Sequence, residues 1–200
     1  MATALLLSGG MDSIALAYWL RPMYAYTIDY GQRGAAGEVR AATAVAQALH
    51  IRHSILTVDC RALGSGDMVG TTPSPVAPVT EWWPFRNQLL VTLAAMRGLA
   101  DGVTHLLLGS VASDGVHADG RAAFVTGLDA LLREQEGGMR LSAPAMTWTT
   151  VDLVRHAAVP RALLAWAHSC HTAPYACGQC RGCAKHLNVT EALFGHAEAY

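Results

Sequence analysis

The stretch Thr3-Ala4-Leu5-Leu6-Leu7, Ser8-Gly9-Gly10-Met11-Asp12-Ser13, Ile14-Ala15-Leu16-Ala17-Tyr18-Trp19-Leu20 decides the reading of this chain. An apolar run stops at a turn of small residues, and a helical pattern follows at once. That is a buried strand delivering a tight loop to a helix N-terminus. Ser8, Gly9 and Gly10 let the backbone turn sharply with N–H groups facing one concave side. The first N–H groups of the helix, which begins near Asp12 or Ser13, have no partner within it. Together with the helix dipole they form a seat for an anion such as a phosphate. Ser8 and Ser13 add hydroxyl donors. Asp12 fits either as an N-cap or as a holder of Mg²⁺ bridging phosphates. The loop is not a Walker A motif, because GxxxxGK[ST] is absent. The bland reading is an ordinary strand-to-helix turn.

Working outward, apolar runs at 3–7, 23–28, 54–58 and 103–108 alternate with helical stretches near 13–20, 35–50, 86–100 and 121–135. Ala42, Val45, Ala46 and Leu49 recur at helical spacing, as do Leu89, Leu90, Leu93 and Met96. Such alternation predicts an α/β fold, a doubly wound parallel sheet with helices on both faces. Gly31 and Gly109 follow strand ends, where such sheets bind ligands. The segment from Leu63 to Trp83, rich in Gly and Pro, reads as a long surface loop that could close over the site. From about residue 151 the alternation ends. Val151, Leu153, Val154 and Ala157 fit one helix, Pro160 opens another over Arg161 to Ala167, and a short tail helix is expected around Val189–Phe194. The division expected is 1–150 for the ligand-binding sheet domain and 151–200 for a helical and loop appendage.

Apolar residues make up 52% of the 200 positions and charged residues 14%, with a net charge of −1. A well-buried core follows, and intrinsic disorder is excluded. Near-neutral charge without a basic patch argues against nucleic acid as a partner. No apolar run approaches the roughly 20 residues that span a bilayer, and the N-terminus lacks the basic segment of a signal peptide. The chain reads as a soluble, cytoplasmic protein.

Four of five cysteines crowd the end of the chain: Cys170, Cys177, Cys180 and Cys183, with Cys60 alone. Cys-x-x-Cys pairs aim two sulfurs at one centre, and four thiolates suit a closed, tetrahedral, structural Zn²⁺ site. Gly178 and Gly182 permit tight turns there. Arg181 and Lys185 are near enough in sequence to offset the thiolate charge. Two disulfides, a redox-active Cys-x-x-Cys or an iron–sulfur cluster are the competing readings. His168, His171 and His186 flank the cysteines and read as surface histidines, unless one of them replaces a cysteine as ligand.

Ser8–Ser13 resembles the loop of the PP-loop N-type ATP pyrophosphatases, which split ATP into AMP and pyrophosphate. Within them, Asp29-Tyr30-Gly31-Gln32-Arg33, Pro84-Phe85-Arg86-Asn87, Asp119-Gly120-Arg121 with Phe124, and Ser169-Cys170 with Cys177-Gly178-Gln179-Cys180-Arg181-Gly182-Cys183 resemble, in order, the motifs of the 7-cyano-7-deazaguanine synthase family of queuosine biosynthesis. The resemblance implies an adenine nucleotide α-hydrolase-like fold with a C-terminal zinc-binding appendage. It implies a carbon–nitrogen ligase that uses ATP and Mg²⁺ to activate 7-carboxy-7-deazaguanine and joins it to ammonia, giving the nitrile. Homodimerisation is a further family expectation.

By the same resemblance Leu7, Ser8, Gly9, Gly10, Asp12, Ser13, Asp29 and Gly109 bind the nucleotide. Arg33, Arg86, Asn87, Asp119 and Arg121 take the deazaguanine and its carboxylate, since guanidinium binds carboxylate and phosphate in a forked manner. Asp12, Ser13 and Arg121 are the catalytic candidates. Blander roles are surface charges for the arginines, a helix cap for Asn87, and loop packing rather than base stacking for Trp82 and Trp83. The chain departs from the family pattern in places. Thr147–Asp152 lacks the lysine expected near the phosphates, Gly34 replaces a histidine, Glu38 is displaced by one from a glutamate, Gly120 replaces a cysteine, and His186 replaces an arginine. These departures leave room for a relative that joins the carboxylate to another amine, on a protein or a small molecule. They also leave room for a non-catalytic nucleotide-sensing module, and the superfamily for a tRNA-modifying transferase.

Overall fold

The computed structural model describes residues 2–195. Five strands, β1 (Ala2–Leu6), β2 (Tyr24–Asp29), β3 (Arg52–Thr57), β4 (Val103–Leu107) and β5 (Arg140–Ser142), form one sheet in the order β3-β2-β1-β4-β5. Every pairing is parallel; Leu5 stands beside Ala25 on one side and Leu107 on the other. Helices α1 (Met11–Leu20), α2 (Ala35–Ala48), α3 (Arg86–Ala100), α4 (Ala122–Arg133), α5 (Thr150–Ala157), α6 (Arg161–Leu164) and α7 (Arg181–Phe194) complete the fold.

The central strand explains the continuous apolar run. Successive side chains of β1 point to opposite faces, and both faces are covered. Leu5 and Leu7 join Ile14 and Leu16 of α1, Val45 of α2 and Leu153 of α5 in one core. Ala4 and Leu6 join Val91 of α3, Leu106 of β4 and Leu128 of α4 in the other. Leu5, Leu7, Ile14 and Leu16 are fully buried, each contributing about 2 kcal/mol of transfer free energy. The C-terminal segment shares the first core, and Trp19 of α1 stacks on Trp148 just ahead of α5 at 5.4 Å.

Four details differ from the sequence expectation. β5 has only three residues with a single buried side chain, too little for a periodic signal. The 63–83 loop is not wholly at the surface: Met68, Glu81 and Trp83 are buried, and Trp83 meets Tyr30 edge-on at 4.7 Å, which is packing rather than a free stacking platform. α6 stops at Leu164, short of Ala167. The tail helix starts at Arg181, eight residues earlier than expected, because Cys180 caps it.

Candidate functional site

A cavity of about 360 Å³ opens beyond the carboxyl ends of β1 and β4. The strand order reverses between these two strands, the place where open α/β sheets bind ligands. One wall is the loop after β1. Gly9 adopts φ +78°, and a Cβ there would lie 2.6 Å from the Glu38 carbonyl oxygen, so only glycine lets the loop rest on α2. Gly10 is the N-cap residue of α1, with no side chain to occupy its first N–H groups. The Ser13 hydroxyl donates to the Gly10 carbonyl at 3.0 Å and lies 3.2 Å from the Ser8 hydroxyl. Asp12 is in the first turn rather than at the cap. Its Oδ2 accepts from Lys185 Nζ at 3.0 Å, while its Oδ1 is buried with no hydrogen-bond partner among the described residues.

The remaining walls carry charge of both signs. Arg86, at the start of α3, lines the cavity beside Asp119 and Glu38. Asn87 lies inside α3 rather than capping it. Its backbone N–H donates to Asp119 Oδ2 at 3.0 Å, and its amide donates to the Asp119 carbonyl at 2.9 Å. Thus Asp119 supplies α3 with the cap that its own sequence lacks. Glu38 accepts from the Gln32 side chain at 2.8 Å, yet burial pushes its carboxyl up to about 7 against the pull of that bond and of Arg86. Burial lowers His117, His168 and His171, and takes His186 down to about 4. These imidazoles are therefore neutral at pH 7, and the positive charge of the cavity comes from Arg86, Arg181 and Lys185.

Of the residues singled out from sequence, Leu7, Ser8, Gly10, Asp12, Ser13, Arg86, Asn87, Gly109 and Asp119 line this one cavity. Gly9 does not line it; it backs onto α2. Asp29 turns away to accept the Gly31 N–H at 3.0 Å. Arg33 is exposed against Gly70. Arg121 is exposed and donates to the Gly115 carbonyl at 3.1 Å. The structure adds Glu38, Thr150, His168, His171 and Lys185 to the lining. The three flanking histidines line the cavity and are half-buried rather than fully exposed. One signal in the sequence pointed to Lys185: it is the only lysine among fourteen Lys and Arg residues.

Cys170, Cys177, Cys180 and Cys183 bring their sulfurs within 4.8 Å of one another, with Cys177–Cys183 and Cys170–Cys180 each at 3.9 Å. Four sulfurs at 2.3 Å from a single tetrahedral ion stand about 3.8 Å apart, so the cluster fits a metal site. All five cysteines are unbridged in this structure. The thiolate charge is met locally rather than by Arg181 and Lys185. Those cations reach Glu81 at 3.1 Å and Asp12 at 3.0 Å. The Thr172 hydroxyl and the Gln179 and Cys180 N–H groups converge on Cys177 and pull its thiol down to about 6. Such N–H···S bonds orient metal ligands. The segment also grips the loop after β1, because the His168 N–H donates to the Gly9 carbonyl at 2.9 Å.

The family described as "Queuosine biosynthesis protein QueC" matches residues 2–192. The 7-cyano-7-deazaguanine synthase of Xanthomonas oryzae pv. oryzae (strain PXO99A) is 32% identical over 198 residues, covering 89% of this chain and 88% of its own. That of Laribacter hongkongensis (strain HLHK9) is 31% identical over 194 residues, covering 88% and 84%. Among solved structures, the U34-tRNA thiolase NcsA from Methanococcus maripaludis with its [4Fe-4S] cluster superposes with a TM-score of 0.57 at 17% identity. The match covers 96% of this chain and 65% of that one, and is a likeness of fold. With the fold, the ordered motifs and relatives of this similarity in agreement, the chain belongs to the QueC family of 7-cyano-7-deazaguanine synthases.

Proposed function

We propose that this protein is an ATP-dependent ligase that converts 7-carboxy-7-deazaguanine and ammonia into 7-cyano-7-deazaguanine, releasing AMP and pyrophosphate. A carboxylate is a poor electrophile with a poor leaving group. Its oxygen attacks the α-phosphorus of ATP and pyrophosphate leaves. Ammonia then adds to the acyl carbon and loses a proton, and AMP departs with the carboxyl oxygen, leaving the amide. A second ATP activates the amide oxygen in the same way; loss of AMP and two protons from nitrogen gives the nitrile. Catalysis is mainly positioning and charge neutralisation.

In this reading Ser8, Gly10, Asp12 and Ser13 hold the polyphosphate and Mg²⁺, with Asp12 as the oxygen ligand. Leu7 and Gly109 lie towards the nucleoside. Arg86 receives the deazaguanine carboxylate, and Asp119 and Asn87 fix the approach of its ring. The four cysteines hold Zn²⁺ in a structural role; sulfurs this close surround a single ion better than an iron–sulfur cube, whose ligands stand outside several metal atoms. In this reading residues 1–150 form the ATP-binding sheet domain and 151–200 the metal appendage, which adds one wall of the cavity with His168, His171 and Lys185, at work in the cytoplasm where ATP is supplied. The observation that carries the reading is the convergence of the phosphate loop, Arg86 and Asp119 on one cavity at the sheet's reversal point. Incubation with the carboxylate, ammonium and Mg–ATP tests it. Mass analysis should find the nitrile with AMP and pyrophosphate; ADP and orthophosphate, or no nitrile, would overturn it.

A further inference from the structure

The chain places its sole lysine against the loop after β1. Thirteen other cationic positions are all arginine. Lys185 reaches the cavity from the first two turns of α7 and holds Asp12 Oδ2 at 3.0 Å, across 173 residues of sequence. Its side chain is 42% exposed, so the ammonium is not locked in the interior. The other cations of the cavity are committed elsewhere. Arg181 holds the buried Glu81 at 3.1 Å, and Arg86 lies in the field of Tyr30, Asp119, Asp114 and Glu38. Four buried polar atoms of the cavity's lining residues have no hydrogen-bond partner among the described residues: Asp12 Oδ1, on the carboxylate that Lys185 holds, Thr150 Oγ1 on the first residue of α5, His168 Nε2 and His171 Nδ1. Unsatisfied buried atoms of this kind mark a place where a ligand or ion completes the bonding.

We propose that Lys185 binds the β- and γ-phosphates of the nucleotide, and that its ion pair with Asp12 is the resting form of the site. A compact ammonium on a flexible stem can move from a carboxylate to a phosphate without leaving its place in the fold, which a planar guanidinium does less readily. Arrival of Mg–nucleotide exchanges the pair. The ammonium passes to the terminal phosphates, and both oxygens of Asp12 become available to the divalent cation. No charge is left buried and unpaired in either state, which avoids the cost of a lone buried carboxylate. The proposal rests on the reading of the cavity as a nucleotide site, and deepens it by naming the residue that senses the polyphosphate.

The test is calorimetric titration of the wild-type chain, Lys185→Gln and Lys185→Arg with Mg–ATP and separately with AMP, after melting temperature and metal content are matched. Lys185→Gln should lose about tenfold or more in ATP affinity and keep AMP within about twofold, and arginine should restore part of the loss. Amine-directed acylation of the wild-type protein, read at the Lys185 peptide by mass spectrometry, decides the matter even where the variants fold poorly. Pyrophosphate with Mg²⁺ should protect that amine and AMP should not. Equal ATP affinity in Lys185→Gln, or equal losses for ATP and AMP, overturns the proposal and leaves the nucleotide reading intact. A wild-type chain that binds no nucleotide removes both.

Discussion

Two residues beside the loop after β1 carry consequences that separate variants can measure. A methyl at Gly9 would meet the Glu38 carbonyl at 2.6 Å and Ala41 Cβ at 2.8 Å, at a φ of +78° that disfavours any side chain. Gly9→Ala should therefore cost about 2 kcal/mol or more in chemical denaturation and weaken ATP binding with it. Gly10 makes the internal comparison. A Cβ there meets nothing closer than Ser8 Oγ at 3.6 Å, so Gly10→Ala should leave stability within about 0.5 kcal/mol. Glu38 sets a pH dependence. Its folded carboxyl titrates near 7 and its ordinary value is 4.5, so the folded state holds the proton more tightly. Its contribution is fully present below 4.5 and is lost as pH rises through 7. Between pH 4.5 and pH 7.5 the wild type should lose about 3 kcal/mol more stability in denaturation than Glu38→Gln, the loss growing as pH rises. Identical slopes would show that the carboxyl is not held protonated.

At the scale of elements, α7 depends on one sulfur twice. Cys180 is a member of the four-cysteine cluster, and its Sγ also accepts from the Cys183 N–H at 3.4 Å as the cap of the helix. Cys180→Ser should lose the metal and lower stability by about 3 kcal/mol or more. Cys60→Ser, outside the cluster, should change little; metal content by mass spectrometry and thermal melting make the comparison. The double duty of Cys180 also explains why the start of α7 was hidden in the sequence. Cysteines spaced as ligands read as loop, and Cys-x-x-Cys is equally the spacing of an N-cap and its third helical residue. Four of the five strands were legible because covering both faces of a parallel sheet leaves continuous apolar runs, as in Leu5-Leu6-Leu7. β5 offered only Arg140-Leu141-Ser142, and no period can be read from one buried residue. The loop after β1 was legible for the same local reason as the strands, since a turn between strand and helix needs small residues in sequence order. The rest of the cavity was not. Asp119 capping α3 and Lys185 reaching Asp12 are contacts across 32 and 173 residues, and only the closed fold reveals them. Arg33 and Arg121 show the converse, because proximity to a motif in sequence left both exposed and outside the cavity.

Over the whole molecule, the cysteine segment is a clamp on the loop after β1. The His168 N–H holds the Gly9 carbonyl at 2.9 Å, and Lys185 holds Asp12 at 3.0 Å. Behind these bonds the fit is close: a Cβ at Gly34 would lie 2.6 Å from the Cys170 carbonyl oxygen, and one at Gly37 would lie 2.5 Å from the His168 ring. Arg40 of α2 adds a hydrogen bond to the Pro174 carbonyl and lies over the Tyr175 ring at 4.4 Å. Of the buried residues of the two cores only Val189 lies beyond Ala167, so the sheet and its packing do not rest on the cysteine loop itself. In the proposed reading the clamp links metal and nucleotide, and linkage works in both directions. Removing the metal with a chelator should leave most of the secondary structure in circular dichroism, because the cores persist. It should lower Mg–ATP affinity by about tenfold or more and AMP affinity much less. Reloading should restore both, and saturating Mg–ATP should slow loss of the metal to the chelator. Metal-free protein that binds ATP as tightly as the loaded form would show that the four cysteines hold only their own loop, and that the contacts to Gly9 and Asp12 transmit nothing between the two sites.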